Sequence, residues 1–299
     1  MTIPLPASAD LASPQPPTPI APQKTPNAIE TMSSTAESQQ HSCQEQSIPS
    51  QYASSLTSII IACHASVSAF LNESHEPNSL LARVQDRTRI SLNIITEALQ
   101  EYSLDELALS YNGGKDCLVL LILFLAALNS RLPIDEDKQP LIPAMYVAEA
   151  DPFLEMEEFV NWSKRIYHLD LVRYTKNAET TLKSGFEDYL NKHPSVKAIF
   201  VGMRRTDPYA ANLKWFDRTD SGWPDFMRIH PVIDWQYAEI WGFMRHLQLE
   251  YCSLYDMGYT SLGGLSNTDQ NPSLWDPVKH AYRPAYELTD DSLERAGRH

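Results

Sequence analysis

The 299-residue chain is poor in three things, and each shortage excludes a class of protein. Cysteine is the first: Cys43, Cys63, Cys117 and Cys252 form no CxxC pair and no framework spacing, which argues against a disulfide-stapled secreted scaffold and suits a reducing compartment. Cations are the second. Lys and Arg number 24 against 38 Asp and Glu, a net charge of −14, whereas a protein that coats nucleic acid needs a basic surface to release counterions. Any polyanionic ligand must therefore be met locally. Long apolar runs are the third: the longest, Leu118 to Leu128, would span roughly 16 Å as a helix against about 30 Å of hydrocarbon, so it reads as a buried helix and not a membrane span.

What is present is unevenly distributed. The first fifty residues hold nine of the 21 prolines, with Ser, Thr and Gln between them, and residues 1–50 are predicted to be disordered. Their only basic residue is Lys24, which fits neither a secretory signal nor an Arg-rich transit peptide, and the expected location is cytoplasmic. Deleting this segment is expected to leave turnover unchanged. In residues 51–102, apolar side chains recur at three- and four-residue steps over 54–71 and 79–101, which predicts two amphipathic helices forming a hairpin near Pro77.

From residue 103 onward, short β-type runs (107–111, 143–148, 170–174, 198–202) alternate with helical patterns (116–130, 153–168, 179–192). The fold class implied is α/β, with a Rossmann-like, mostly parallel sheet, helices on both faces, and C-terminal loops that carry binding. One further helix is predicted over 235–249, with a short apolar-faced stretch over 253–257.

The sharpest feature is the segment SYNGGKDC, Ser110 to Cys117, set between an apolar strand and an apolar helix. Paired glycines, Gly113 and Gly114, let backbone approach an anion without a Cβ in the way, and the free amides and positive end of the following helix then face it. This is not the Walker spacing, because no glycine stands six residues before Lys115, and it is not GxGxxG. A thiol at a helix N-terminus, Cys117, invites a nucleophilic role, but no histidine stands near it in sequence, and a small residue packed under the loop is the preferred reading.

Three further segments carry polar chemistry. In VGMRRTDP (201–208), Asp207 is a good helix N-cap with Pro208 at the first helical position, while Arg204 and Arg205 either contact phosphate or form an ion pair with Asp207. In TDSGWPD (219–225), Asp220 stands beside Trp223 in a turn-forming context, and Trp223 and Trp215 fit either the core or an aromatic ligand. In the tail, LTDDSLERAGR (288–298), a short helix capped by Thr289 or Asp290 would place Arg295 and Arg298 on one face; the plain alternative is a solvated helix with Asp291 paired to Arg295.

The 110–117 segment resembles the SGGKD[ST] loop of PP-loop ATP pyrophosphatases, which split ATP between the α and β phosphates while the loop holds pyrophosphate. Asn112 and Cys117 replace the usual hydroxyl residues. Taken with GMRRTDP, TDSGWP and LERAGR, the chain from about 83 to 299 resembles the eukaryotic FMN adenylyltransferases (FAD synthases), relatives of the sulfonucleotide reductases. The resemblance implies a PP-loop catalytic domain over 103–299, ATP and FMN as substrates, FAD and pyrophosphate as products, and Mg²⁺ carried with ATP. It implies catalytic roles for Asn112, Asp116, Asp207, Asp220, Arg295 and Arg298. Contacts to the bound molecules are implied for Ser110, Tyr111, Gly113, Gly114, Lys115, Arg204 and Trp223. A monomer that binds neither nucleic acid nor membrane is expected. Asp116 and Asp220 are both expected in loops, so that alanine at either removes FAD formation and spares the fold.

The alternatives are another PP-loop enzyme, such as a sulfonucleotide reductase, and a nucleotide-binding protein without chemistry. The segment 255–268 is similar to the GYxSIG region of those reductases, but Gly264 and Asn267 stand where cluster-bearing members have cysteine, and no cysteine follows Cys252. None of the nine histidines forms HExxH or a paired ligand spacing, which disfavours a zinc site built by the protein.

Overall fold

The computed structural model describes residues 55–133 and 141–299. The chain divides into two units, Met1–Gln44 and Glu45–His299, of which the first, with the predicted disordered segment 1–50, lies outside the described residues.

Helices α1 (Leu56–Asn72) and α2 (Leu80–Glu101) begin where serine hydroxyls can take orphan backbone donors: Ser55 accepts from the amide of Ser58, and Ser79 from that of Ala82. Their apolar stripes do more than face one another. Helix α1 lies along α3 (Lys115–Leu128), and α2 crosses α3 and α6 (Tyr237–His246), so Ile59, Ile60, Cys63, Val84 and Ile95 share one core with the sheet. Every residue of α3 from Cys117 to Leu128 is buried, which is why its sequence is apolar on all sides. Among the described residues no helix is long and apolar enough to cross a membrane.

Six strands, β1 (Leu107–Ser110), β2 (Ile142–Ala148), β3 (Leu169–Thr175), β4 (Ala198–Val201), β5 (Phe216–Arg218) and β6 (Met227–Ile229), form a sheet of order β3-β2-β1-β4-β6-β5. Only β5 runs antiparallel to its neighbour. In register, Leu109 of β1 pairs with Ala144 and with Phe200, and alternation sends Leu107 and Leu109 to the α3 face while Ala108 turns to the other. There Phe186 and Tyr189 of α5 (Leu182–Lys192) cover Ala108, Met145 and Ile199. Helix α4 (Leu154–Ile166) packs on the α3 side through Met156 and Val160.

The predicted α/β class, parallel order and helix positions hold. Strands β5 and β6 were not anticipated, nor was the ribbon β7 (Trp275–Asp276) with β8 (Ala281–Tyr282), because two or three residues with polar members carry no readable alternation. Connections leave β1 toward β2 on one side and enter β4 from the other, which opens a crevice at the carboxyl ends of β1 and β4.

Candidate active site

Two loops meet over that crevice, and both depend on glycine. Gly113 has φ +76°, and a Cβ there would come within 2.7 Å of Val160 and 2.8 Å of Met156. A Cβ on Gly202, just past β4, would stand 2.9 Å from the backbone nitrogen of Cys117, so only glycine lets β4 end against the start of α3. The Asn112 carboxamide oxygen accepts the Gly114 amide at 2.9 Å, and the Tyr255 hydroxyl accepts the Lys115 amide at 3.0 Å. Two of the amides expected to face an anion are thus held from within the chain.

Beneath the loop lies a buried group of two cations and two anions. Lys115 Nζ donates to Glu294 at 2.6 Å and to Asp116 at 3.1 Å; Arg204 Nε lies 2.6 Å from Asp116, and its Nη2 makes a forked contact with both Glu294 oxygens. Lys115 and Arg204 side chains are 4% and 1% exposed, an environment that excludes an unpaired cation. Burial alone would strip the Lys115 charge, but Asp116 and Glu294 outweigh it and hold the ammonium above its ordinary value. Burial likewise works against the Asp116 carboxylate, and Lys115 and Arg204 reverse that, leaving it below the ordinary range. Asp207 goes the other way: burial and then the neighbouring Asp116 push it up, while its Oδ2 accepts the Arg204 amide at 2.9 Å.

Two contiguous cavities open above this floor. The first, about 270 Å³, is lined by Asn112, Asp116 and Asp207 together with Arg295 and Arg298. Arg298 donates to the carbonyls of Leu262 and Asn267, and its guanidinium is drawn below its ordinary value by burial and then by Arg295, as expected when two cations face one space. The second, about 810 Å³, is lined by Phe186, Phe226, Trp223 and Tyr209, with Asp220 and Arg228 at its polar edge. Asn112, Cys117 and Gly202 line both, so the two spaces join at the glycine loop. One space suits phosphates and the other a planar ring.

The structure brings Asn112, Gly114, Asp116, Asp207, Arg295 and Arg298 to the first cavity, and Ser110, Asp220 and Trp223 to the second. Lys115 reaches the first cavity, but its ammonium is turned into the ion group and lies over the Tyr237 ring at 5.3 Å. Three expected contacts do not line either space. Tyr111 is buried and donates its hydroxyl to Ser163 at 2.9 Å, Gly113 packs against α4, and Arg204 is committed to Asp116 and Glu294.

Other local expectations are corrected. No helix follows Asp207; the segment turns, with Tyr209 at φ +66°, and the carboxylate folds back on the Arg204 amide instead of capping. Arg204 pairs with Asp116 and Glu294, and Arg205 with Asp234. The tail forms a single 3₁₀ turn over Asp291–Leu293 capped by Asp290, and Asp291 approaches the Ala238 amide instead of Arg295. Asp116 belongs to the first turn of α3 and to the buried ion group, so it is no dispensable loop residue, whereas Asp220 is 77% exposed. Trp215 is half-exposed, donating to Asp234, and lies outside both cavities. Burial pushes the Cys117 thiol up to about 12, in keeping with the packing role. Among the described residues one group has metal-ligating composition, Glu73, His75 and His246, which histidine spacing could not reveal because His246 comes from α6. It pairs internally and lines neither cavity.

Sequence reasoning passed over Tyr255, Thr260, Asn271 and Glu294. One signal was available: Lys115 and Arg204 near a single Asp116 leave a charge to balance, and Glu294 sits in the segment already singled out for its arginines.

A parallel sheet with a glycine loop gripping the start of a helix at the strand-order switch defines an α/β nucleotide-binding enzyme, and residues 106–270 match the phosphoadenosine phosphosulfate reductase domain family. Within that class the chain is 44% identical over 223 residues to a probable FAD synthase of Schizosaccharomyces pombe, covering 74% of this chain and 82% of that protein. Its fold is similar to the crystal structure of Candida glabrata FMN adenylyltransferase in complex with FAD and inorganic pyrophosphate (TM-score 0.76, 30% identity, 82% of this chain and 97% of that one). It is also similar to yeast FAD synthetase in complex with FAD (TM-score 0.73, 29% identity, 82% and 99%). The chain belongs to the FAD synthase family.

Proposed function

We propose that the chain is an ATP:FMN adenylyltransferase. An oxygen of the FMN phosphate attacks the α-phosphorus of ATP; a new P–O bond forms as the bond from that phosphorus to the bridging oxygen breaks, giving FAD and pyrophosphate. The observation that carries this reading is the pair of joined cavities, one ionic and one aromatic, meeting at Asn112. Two anionic substrates must be aligned, so catalysis rests on position and charge. Asn112 and Gly114 shape the phosphate turn, Arg295 and Arg298 face the phosphoryl groups, Asp220 accepts hydrogen bonds from substrate, and Trp223 offers a ring face. Asp116 holds Lys115 and Arg204, and so acts on the loop from below.

Mg²⁺ fits the first cavity: Asp207 is a hard oxygen donor facing it, and its raised affinity for protons is what a nearby cation relieves. When bound with ATP, Mg²⁺ would neutralise phosphate charge. The site needs no second chain, which favours a monomer; the described free cysteines, all buried, favour a reducing location such as the cytoplasm. Nothing at Cys117 favours thiol chemistry over adenylyl transfer. The test is exchange of labelled pyrophosphate into ATP by the purified chain. FMN-dependent exchange with FAD appearing supports the reading; exchange without flavin, or none at all, contradicts it.

A further inference from the structure

Nothing in the reaction itself requires a carboxylate at Glu294, yet it is among the most constrained side chains in the molecule. It is 8% exposed, stands between Lys115 and Arg204, and immediately precedes Arg295. The segment around it is fixed by its backbone as well. Thr260 donates its hydroxyl to the Glu294 carbonyl at 2.6 Å, and Asn271 donates to both the Thr260 hydroxyl at 2.9 Å and the Leu293 carbonyl at 2.7 Å. By contrast, the Arg295 side chain is exposed and, among the described residues, donates to the Ser261 hydroxyl at 3.4 Å. Arg295 lies two residues past the 3₁₀ turn, so that turn gives its exposed side chain no direct support.

We infer that Glu294 is a positioning residue: by bridging Lys115 and Arg204 it locks the C-terminal segment to the first turn of α3 and so holds Arg295 and Arg298 over the phosphate cavity. This deepens the adenylyltransferase reading and rests on it for its kinetic consequence. Physically, the loop that grips phosphates and the tail that closes over them share one buried charge balance. Removing the Glu294 charge weakens its contacts to Lys115 and to Arg204, and with them the attraction that draws the tail onto the first turn of α3. Charge, not only shape, is what the lock uses. Glutamine therefore does not substitute for glutamate, although it keeps the size.

The experiment has two arms on the full chain. In the first, made without substrate, trypsin cleavage after Arg295 is followed by mass spectrometry, and Glu294→Gln is expected to speed it about tenfold over wild type. In the second, a double-mutant cycle, Glu294→Gln lowers kcat for FAD formation about tenfold while KM for ATP moves less than about threefold, and adds less than about twofold in an Arg298→Ala background. Glu294→Asp restores part of the kcat. Thr260→Val loosens the tail without changing buried charge; it gives the same pattern at smaller amplitude and keeps the test open should Glu294→Gln not fold. Tail cleavage at the wild-type rate, or losses that multiply fully with Arg298→Ala, would overturn the inference. A wild-type chain that makes no FAD would defeat the adenylyltransferase reading alone, because the cleavage arm is read without it.

Discussion

The two cavities are built on opposite plans. The charged one rests on side chains that are themselves part of the core: Lys115, Arg204, Asp116 and Glu294 neutralise one another, and Tyr255 holds the loop amide above them. The aromatic one is edged by groups that the fold does not need, with Asp220 77% and Trp223 40% exposed in a surface turn. Phosphate transfer requires preorganised charge, which only a buried network supplies, whereas a planar ring needs a shaped wall that loops can provide. Stability and chemistry are therefore entangled at one end of the site and separable at the other.

The largest effect that would expose this difference is at Asp116. Asp116→Ala leaves two buried cations with one partner, and unfolding free energy is expected to fall by about 3 kcal/mol, read by urea denaturation, along with loss of FAD formation. A fully stable Asp116→Ala chain would erase the distinction between the cavities. Asp220→Ala is expected to weaken use of FMN by about 2 kcal/mol, roughly thirtyfold in kcat/KM, with the urea midpoint unchanged. Trp223→Ala is expected to raise KM for FMN about fivefold, on the order of 1 kcal/mol, again with stability kept.

A smaller effect, opposite in sign, is expected at Asp207. Its carboxyl titrates above its ordinary value of 3.8, so in the charged form it costs the folded state stability at neutral pH, and that cost vanishes as acidification protonates it. Asp207→Asn should therefore raise the urea midpoint at pH 7, lose that gain below about pH 4, and lower activity throughout. Asp116 has the reverse sign: its stabilisation is full above 3.8 and is lost as pH falls through its lowered folded value. The smallest effect belongs to residues 1–50, whose deletion should leave kcat and KM unchanged in the same assay.

Much of this was legible in the sequence. Leu118–Leu128 could only be a buried helix, SYNGGKDC placed a glycine turn at its start, and strand–helix alternation led to the parallel sheet. The polar residues expected at the site mostly converge on it. What the sequence did not reveal was the partner of each charge. Arg204 reads as a phosphate contact or a partner of Asp207, and Glu294, ninety positions away and adjacent only in space, does not enter that choice. Tyr255 reads only as the start of a segment similar to one in the reductases, because its hydrogen bond to Lys115 crosses 140 positions. Local patterns report period, turns and caps; they carry nothing about which buried ions cancel.

The most direct measurement is a crystal structure of this chain with FAD and pyrophosphate. The account predicts pyrophosphate in the smaller cavity, against Asn112, Arg295 and Arg298, and the flavin ring in the larger one, against Trp223 and Asp220. A flavin ring in the smaller cavity, or a pyrophosphate bound away from Asn112, would contradict it.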